Sequence, residues 1–168
     1  MLYAIFNGPM PTTAAQVPVT TGTSIKTLLQ VKPGATVVAK IREWGISFDG
    51  SAAATPIKVE LLQADVAATV TASAAADITK LDAAALMGGD PTTALIAVGT
   101  TSTGYTATAE GSITAVRMFD AQLIAPTNQY VKQFPLGAEP VIELSKFARI
   151  RVTAGSAVNA YCYMILEI

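Results

Sequence analysis

The sequence predicts an all-β protein: an antiparallel β-sandwich, jelly-roll-like, with eight to ten strands and little or no helix. Three observations predict it. Short β-prone runs recur along the chain, separated by turn-forming groups such as Pro33-Gly34, Asp49-Gly50 and Ala125-Pro126-Thr127-Asn128. Two runs, Ile57–Leu62 and Phe147–Thr153, alternate between apolar and charged positions, the mark of a strand with one wet face. No segment carries an apolar stripe at the 3.6-residue helical period. Many short strands with Gly/Pro turns close into a sandwich or jelly roll. The 168 residues read as one domain, 1–168, with an extended N-terminal strand and arm over 1–23 and a loop region over 64–104.

The elements follow in order. Leu2–Phe6 is a short strand. Asn7–Gly22 holds three prolines and no charge, and reads as an extended arm or loop with little regular structure. Ser24–Val31 is the first solid strand, broken by Lys32-Pro33-Gly34. Thr36–Phe48 is long, and Gly45 inside it marks a bulge or bend. In Ile57–Leu62, residues Ile57, Val59 and Leu61 face one way and Lys58 and Glu60 the other. Val66–Ala72 reads as a strand. Asp77–Met87 reads as a loop with at most two helical turns, because its alanines favour helix but form no stripe. Thr92–Gly104 is a long connection with room for a strand at Ala94–Val98. Tyr105–Ala109 and Ser112–Ile124 are strands, the second long enough to pair with another long one. Tyr130–Phe134 is short, with Lys132 outward, and Pro135–Pro140 is a Pro/Gly loop. In Phe147–Thr153, residues Ala148, Ile150 and Val152 face the core while Arg149 and Arg151 face out. Val158–Ile168 is apolar on both faces, which suits a central strand or one that meets another subunit.

Composition excludes several chemistries. There is no histidine, so Ser-His-Asp and Cys-His catalysis and His-ligated metal sites are impossible. One cysteine, Cys162, allows neither an intrachain disulfide nor a CxxC zinc site; without a histidine beside it, it reads as a buried structural thiol. The net charge of −1 argues against nucleic acid as a partner. No run of ~18 apolar residues occurs, and the start lacks a basic, apolar signal, so no membrane span or secretory leader is expected. Charged residues are 14% of the chain, against roughly a quarter in an ordinary soluble domain, while 30 alanines and 21 threonines dominate. An under-charged surface of small residues fits a protein packed against other subunits, although a compositional bias gives the same arithmetic.

Motifs for chemistry are thin. Gly99–Gly104 lacks the Lys that a phosphate loop needs, Tyr105 standing in its place. The carboxylates show neither a calcium-loop ladder nor the facing pair of a glycosidase; Glu43 and Glu60, with Arg42, Lys40 and Lys58 nearby, read as cross-strand ion pairs. No enzyme, cofactor, metal or catalytic residue is expected. Trp44 and Tyr105 are the candidates for a sugar-stacking platform, with core packing as the plainer role of the aromatics.

Several segments carry a resemblance. They are Val19–Gln30, Glu43–Ala52, Pro56–Leu62, Gly104–Gly111, Val131–Gly137, Arg149–Ala154 and Ala157–Tyr163. Together they resemble small capsid decoration or cement proteins, minor virion proteins of tailed bacteriophages, especially actinobacteriophages. The resemblance spans most of the chain except roughly Ala64–Ala97, where such proteins vary. It implies a structural virion protein, made in the host cytoplasm, that stabilises the outer head surface as a homo-oligomer, a homotrimer being expected. Its partners would be the major capsid protein and itself. The resemblance supplies no residue-level motif, so the expected interface is inferred separately: Pro11, Val17 and Val19 in the uncharged arm, and Tyr130, Phe134 and Leu136 at the second Pro/Gly loop. The alternative is a head-fibre or receptor-binding module that holds glycans.

Overall fold

A computed structural model describes residues 1–50, 55–81 and 92–168. Its strands are β1 (Leu2–Phe6), β2 (Val19–Thr20), β3 (Lys26–Val31), β4 (Ala39–Phe48), β5 (Ile57–Ala64), β6 (Thr69–Ala72), β7 (Ile78–Lys80), β8 (Gly104–Ala109), β9 (Val116–Ile124), β10 (Gln129–Gln133), β11 (Val141–Ile142), β12 (Phe147–Thr153) and β13 (Asn159–Glu167). They form two antiparallel sheets, in order β10-β4-β13-β1-β7 and β6-β8-β3-β12-β5-β9. At the centre, β1-β13-β4-β10 faces β3-β12-β5-β9. That is the pairing of an eight-stranded jelly roll. The connection between β5 and β9 departs from this frame. It adds β7 to the edge of the first sheet, and β8 and β6 to the edge of the second.

Alternation builds the core. From the first sheet come Tyr3, Ile5, Ile41, Trp44, Cys162, Met164 and Leu166. From the second come Leu29, Ile57, Val59, Leu61, Ile150 and Val152. The final strand is central: β13 lies between β4 and β1, with Ala160, Cys162, Met164 and Leu166 inward. Its other side carries Tyr161, Tyr163 and Ile165 on the outer face of the first sheet.

Both strands that flank the β4–β13 pair are interrupted. Phe6 pairs with Tyr163 and Val19 with Ala160, so β1 and β2 follow one line along β13 and residues 8–18 loop out between them. Asn7 pins the near end, its N–H on Cys162 O and its side chain bonded to Ala160 O and Cys162 N. The Thr21 N–H on Val158 O pins the far end. Of the two readings of this segment, arm or loop, the structure shows a closed loop, because both its ends are hydrogen-bonded to one strand. On the other flank, β10 and β11 both pair with β4, and residues 134–140 loop out between them.

Other expectations are corrected. Gly45 sits in unbroken register with Val131 and Tyr163, so it marks no bulge. It marks a close approach instead, since a Cβ there would lie 2.6 Å from the Tyr163 ring. Arg149 does not face solvent; it is fully buried, because residues near 65–68 and Glu110 cover the outer face of the second sheet at that point. Glu43 and Glu60 lie on different sheets. Ala75–Asp77 is a 3-10 turn, and Ile78–Lys80 is a strand held by β1 rather than the start of a helix; the remainder of Asp77–Met87 beyond Leu81 lies outside the described residues. Around Ala94–Val98, one helical turn, α1 (Thr92–Leu95), precedes two isolated bridges, Pro33 with Ile96 and Val98 with Thr103.

Candidate binding surface

The outer face of the first sheet carries a groove of about 330 Å³. Its floor is laid by register: Val131, Gly45, Tyr163 and Phe6 lie in one cross-strand row, and Gln129, Ser47 and Tyr161 in the next. Residues of the 8–18 loop, Ala15 and Gln16, form a wall. None of the ten lining residues is charged.

Gly45 gives the groove its shape. With no side chain on that residue, the Tyr163 ring reaches across from β13 and lies over β4. Its hydroxyl donates to Glu43 Oε1, and its ring packs against Phe6 with centroids 5.7 Å apart. Gln133 Nε2 donates to the other oxygen of Glu43 at 2.6 Å, so this carboxylate is occupied on both sides. Burial first, then the Glu43 carboxylate, pushes the Tyr163 hydroxyl up to about 12. Tyr161, on the neighbouring row, donates to the Gln16 carbonyl and ties the loop to the sheet.

The predicted interface residues divide into two groups. Pro11 is exposed, and Val17 and Leu136 are 71% and 84% exposed. Val19, Tyr130 and Phe134 are partly buried and pack on the core. Tyr130 lies 5.3 Å from Trp44, ring to ring, and its hydroxyl donates to Asp120 Oδ2 at 2.9 Å. Burial and that carboxylate raise it to about 12. Lys132 approaches Asp120 at 3.4 Å and the Phe134 ring at 5.2 Å. Of the two expected sugar-stacking residues, Trp44 is fully buried in the core, and Tyr105 is half-buried on β8 of the other sheet. The structure does not bring them together.

Neither a family model, nor a curated protein, nor a solved structure matches this chain. The surface must therefore be read from its own chemistry.

Two features were not visible as sites in the sequence. One is the apolar outer side of β9, where Val116, Met118 and Leu123 are 46%, 49% and 72% exposed. Val116 and Met118 alternate in the sequence, but Leu123 is out of phase with them and joins their face only through the register shift opposite Leu61 and Leu62. The other is a buried clasp. Arg149 Nη1 lies 3.3 Å from Glu110 Oε2 and donates to Glu110 O at 3.0 Å, while Nη2 donates to Val66 O. Glu110 also accepts from the Thr27 N–H and hydroxyl. The clasp fastens the long β5–β9 connection to the sheet at both its ends. Burial lowers the Arg149 pKa, while the Glu110 carboxylate opposes that shift.

Cys162 is fully buried, and burial pushes its thiol well above the ordinary range, which suppresses the reactive thiolate. Among the described residues no three His, Cys, Asp or Glu side chains converge as metal ligands, and no helix is long and apolar enough to cross a membrane.

Proposed function

We propose that this chain is a structural virion protein that decorates and stabilises the outer surface of a tailed-phage capsid, acting as a homo-oligomer. The carrying observation is where apolar side chains are left in water. Val17 and Leu136, 71% and 84% exposed, stand on the two loops that interrupt the first sheet, one on each flank of the β4–β13 pair. A loop pinned at both ends presents such a residue with little ordering cost on binding. The resemblance to decoration proteins and the low charge of the chain support the same reading. Each 100 Å² of apolar surface covered contributes roughly 2.5 kcal/mol before association costs, and an oligomer multiplies the contacts.

The test uses phage heads lacking this protein. Added chain is expected to co-sediment with them and raise their resistance to heat, and sedimentation of the chain alone is expected to give an oligomer. Leu136→Asp is expected to weaken co-sedimentation about tenfold, the loss of some 1.4 kcal/mol, with the thermal midpoint of the isolated protein unchanged. A monomer that ignores such heads overturns the reading.

A further inference from the structure

We propose that the groove on the outer face of the first sheet is a binding site for a neutral carbohydrate, a mono- or disaccharide unit. The floor is aromatic, with Tyr163 drawn across Gly45 and Phe6 and Tyr161 beside it. Such a surface takes the C–H face of a sugar ring, as it takes other flat apolar groups. The rim is polar but uncharged. Among the described residues the side chains of Gln16, Ser47 and Gln129 line the groove and make no hydrogen bond to the rest of the chain. Their free donors and acceptors match hydroxyl groups. A volume of about 330 Å³ falls at the low end of small-molecule sites, which run from roughly 300 to 1,000 Å³.

The same features disfavour other occupants. A charged ligand finds no charged side chain among the ten lining residues, and the neighbouring Glu43 has both oxygens held by Tyr163 and Gln133. An extended peptide adds to a sheet through free backbone groups. Here β4 lies between β10 and β13, and β13 between β4 and β1, so the backbone of those two strands is paired, and the open edge at β10 runs along the side of the groove rather than across its floor. A wholly apolar ligand would strip water from three polar side chains and return nothing. A sugar uses both the ring face and the amides.

The site is distinct from Trp44 and Tyr105, and it does not depend on binding to a phage head. The 8–18 loop sets one wall, with the Tyr161 hydroxyl on the Gln16 carbonyl holding it in place. Replacing Tyr161 removes both part of the floor and that tie.

The experiment is saturation-transfer NMR on the full chain. The neutral probes are cellobiose, maltose and diacetylchitobiose; glucuronic acid and glucosamine are charged controls. Transfer to the ring protons of at least one neutral disaccharide is expected, with little to the controls. Val131→Arg, at a solvent-exposed position, is expected to lower affinity about fivefold or more while the thermal midpoint holds, and Tyr161→Ala to lower it at least as much with a lower thermal midpoint, because it also releases the 8–18 loop. Gln129→Ala, which leaves the aromatic floor intact, is expected to give a smaller loss and serves if either of the others fails to fold. Absence of transfer from every neutral probe overturns the proposal. So does binding unaffected by the variants that fold. So does an oligomer that Val131→Arg dissociates, which would make the groove a subunit contact.

Discussion

Ser145 occupies the third position of a four-residue turn, closed by the Lys146 N–H on Glu143 O at 3.1 Å, and its φ is 62°. A residue with a Cβ pays to sit in the left-handed region, and glycine does not. Ser145→Gly is expected to stabilise the fold by about 0.5–1 kcal/mol, the relief of strain less the entropy glycine adds to the unfolded chain. A urea titration reads it as a higher midpoint at constant slope. The tyrosines give a second residue-scale test. Tyr130 and Tyr163 are both raised to about 12 from 10.0, first by burial and then by the carboxylates of Asp120 and Glu43. A raised pKa means that the folded state holds the proton longer than the unfolded one. The stability from these bonds is complete below pH 10 and is lost as pH rises toward 12. Ultraviolet titration of the native protein is expected to show this late-ionising pair, and Tyr163→Phe is expected to remove one member of it.

At the scale of elements, the sequence was clearest where one face of a strand is wet. In β5, Ile57, Val59 and Leu61 are buried while Lys58 is exposed, as the alternation implies. It misled in β12, where the same alternation places Arg149 outward. The side chain does point away from the core, but a distant connection covers it, and no local pattern records such a cover. The closure of residues 8–18 is hidden for a similar reason: proline and threonine mark an extended arm or loop, but only Asn7 and Thr21, bonded more than a hundred residues away, close it. The groove was illegible because Gly45 and Tyr163 meet only through strand pairing. The Arg149 clasp can be measured directly. Arg149→Met is expected to cost about 2–4 kcal/mol, the lower range for a broken buried pair because the Glu110 side chain is 23% exposed. Glu110→Gln is expected to cost less, and the double variant less than the sum. Denaturant unfolding of the four proteins checks this cycle. An additive result would mean that the two side chains act separately.

For the whole molecule, the jelly-roll order explains why fold class was legible while connectivity was not. Strand count, turn residues and alternation are local, and they define the class. The pairing of β1 with β13, or of β3 with β12, joins segments far apart in the chain, and composition carries no trace of it. The β5–β9 connection illustrates the gap. The alanines of Asp77–Met87 favour helix, yet Ile78–Lys80 within it carries none and pairs with the open edge of β1. The under-charged composition also takes on a location. Neutral side chains gather at the groove and along the 8–18 loop, while Glu139 of the 134–140 loop pairs with Arg42, which also reaches Glu167.

The pairing of β1 with β13 has a mechanical side. Leu2 lies opposite Glu167, and the Ile168 N–H donates to Met1 O at 2.9 Å, so the two ends sit side by side at one end of adjacent antiparallel strands. Tension applied between the ends would load these hydrogen bonds one after another, like a zipper, rather than all at once. Force spectroscopy through the two ends is therefore expected to unfold the chain at low force. Attachment between position 2 and position 159, at opposite ends of the same strand pair, would load the ladder in shear and is expected to need a clearly higher one. A cargo fused at either end would thus hang from the weakest direction of the molecule, while one carried on the 134–140 loop would not.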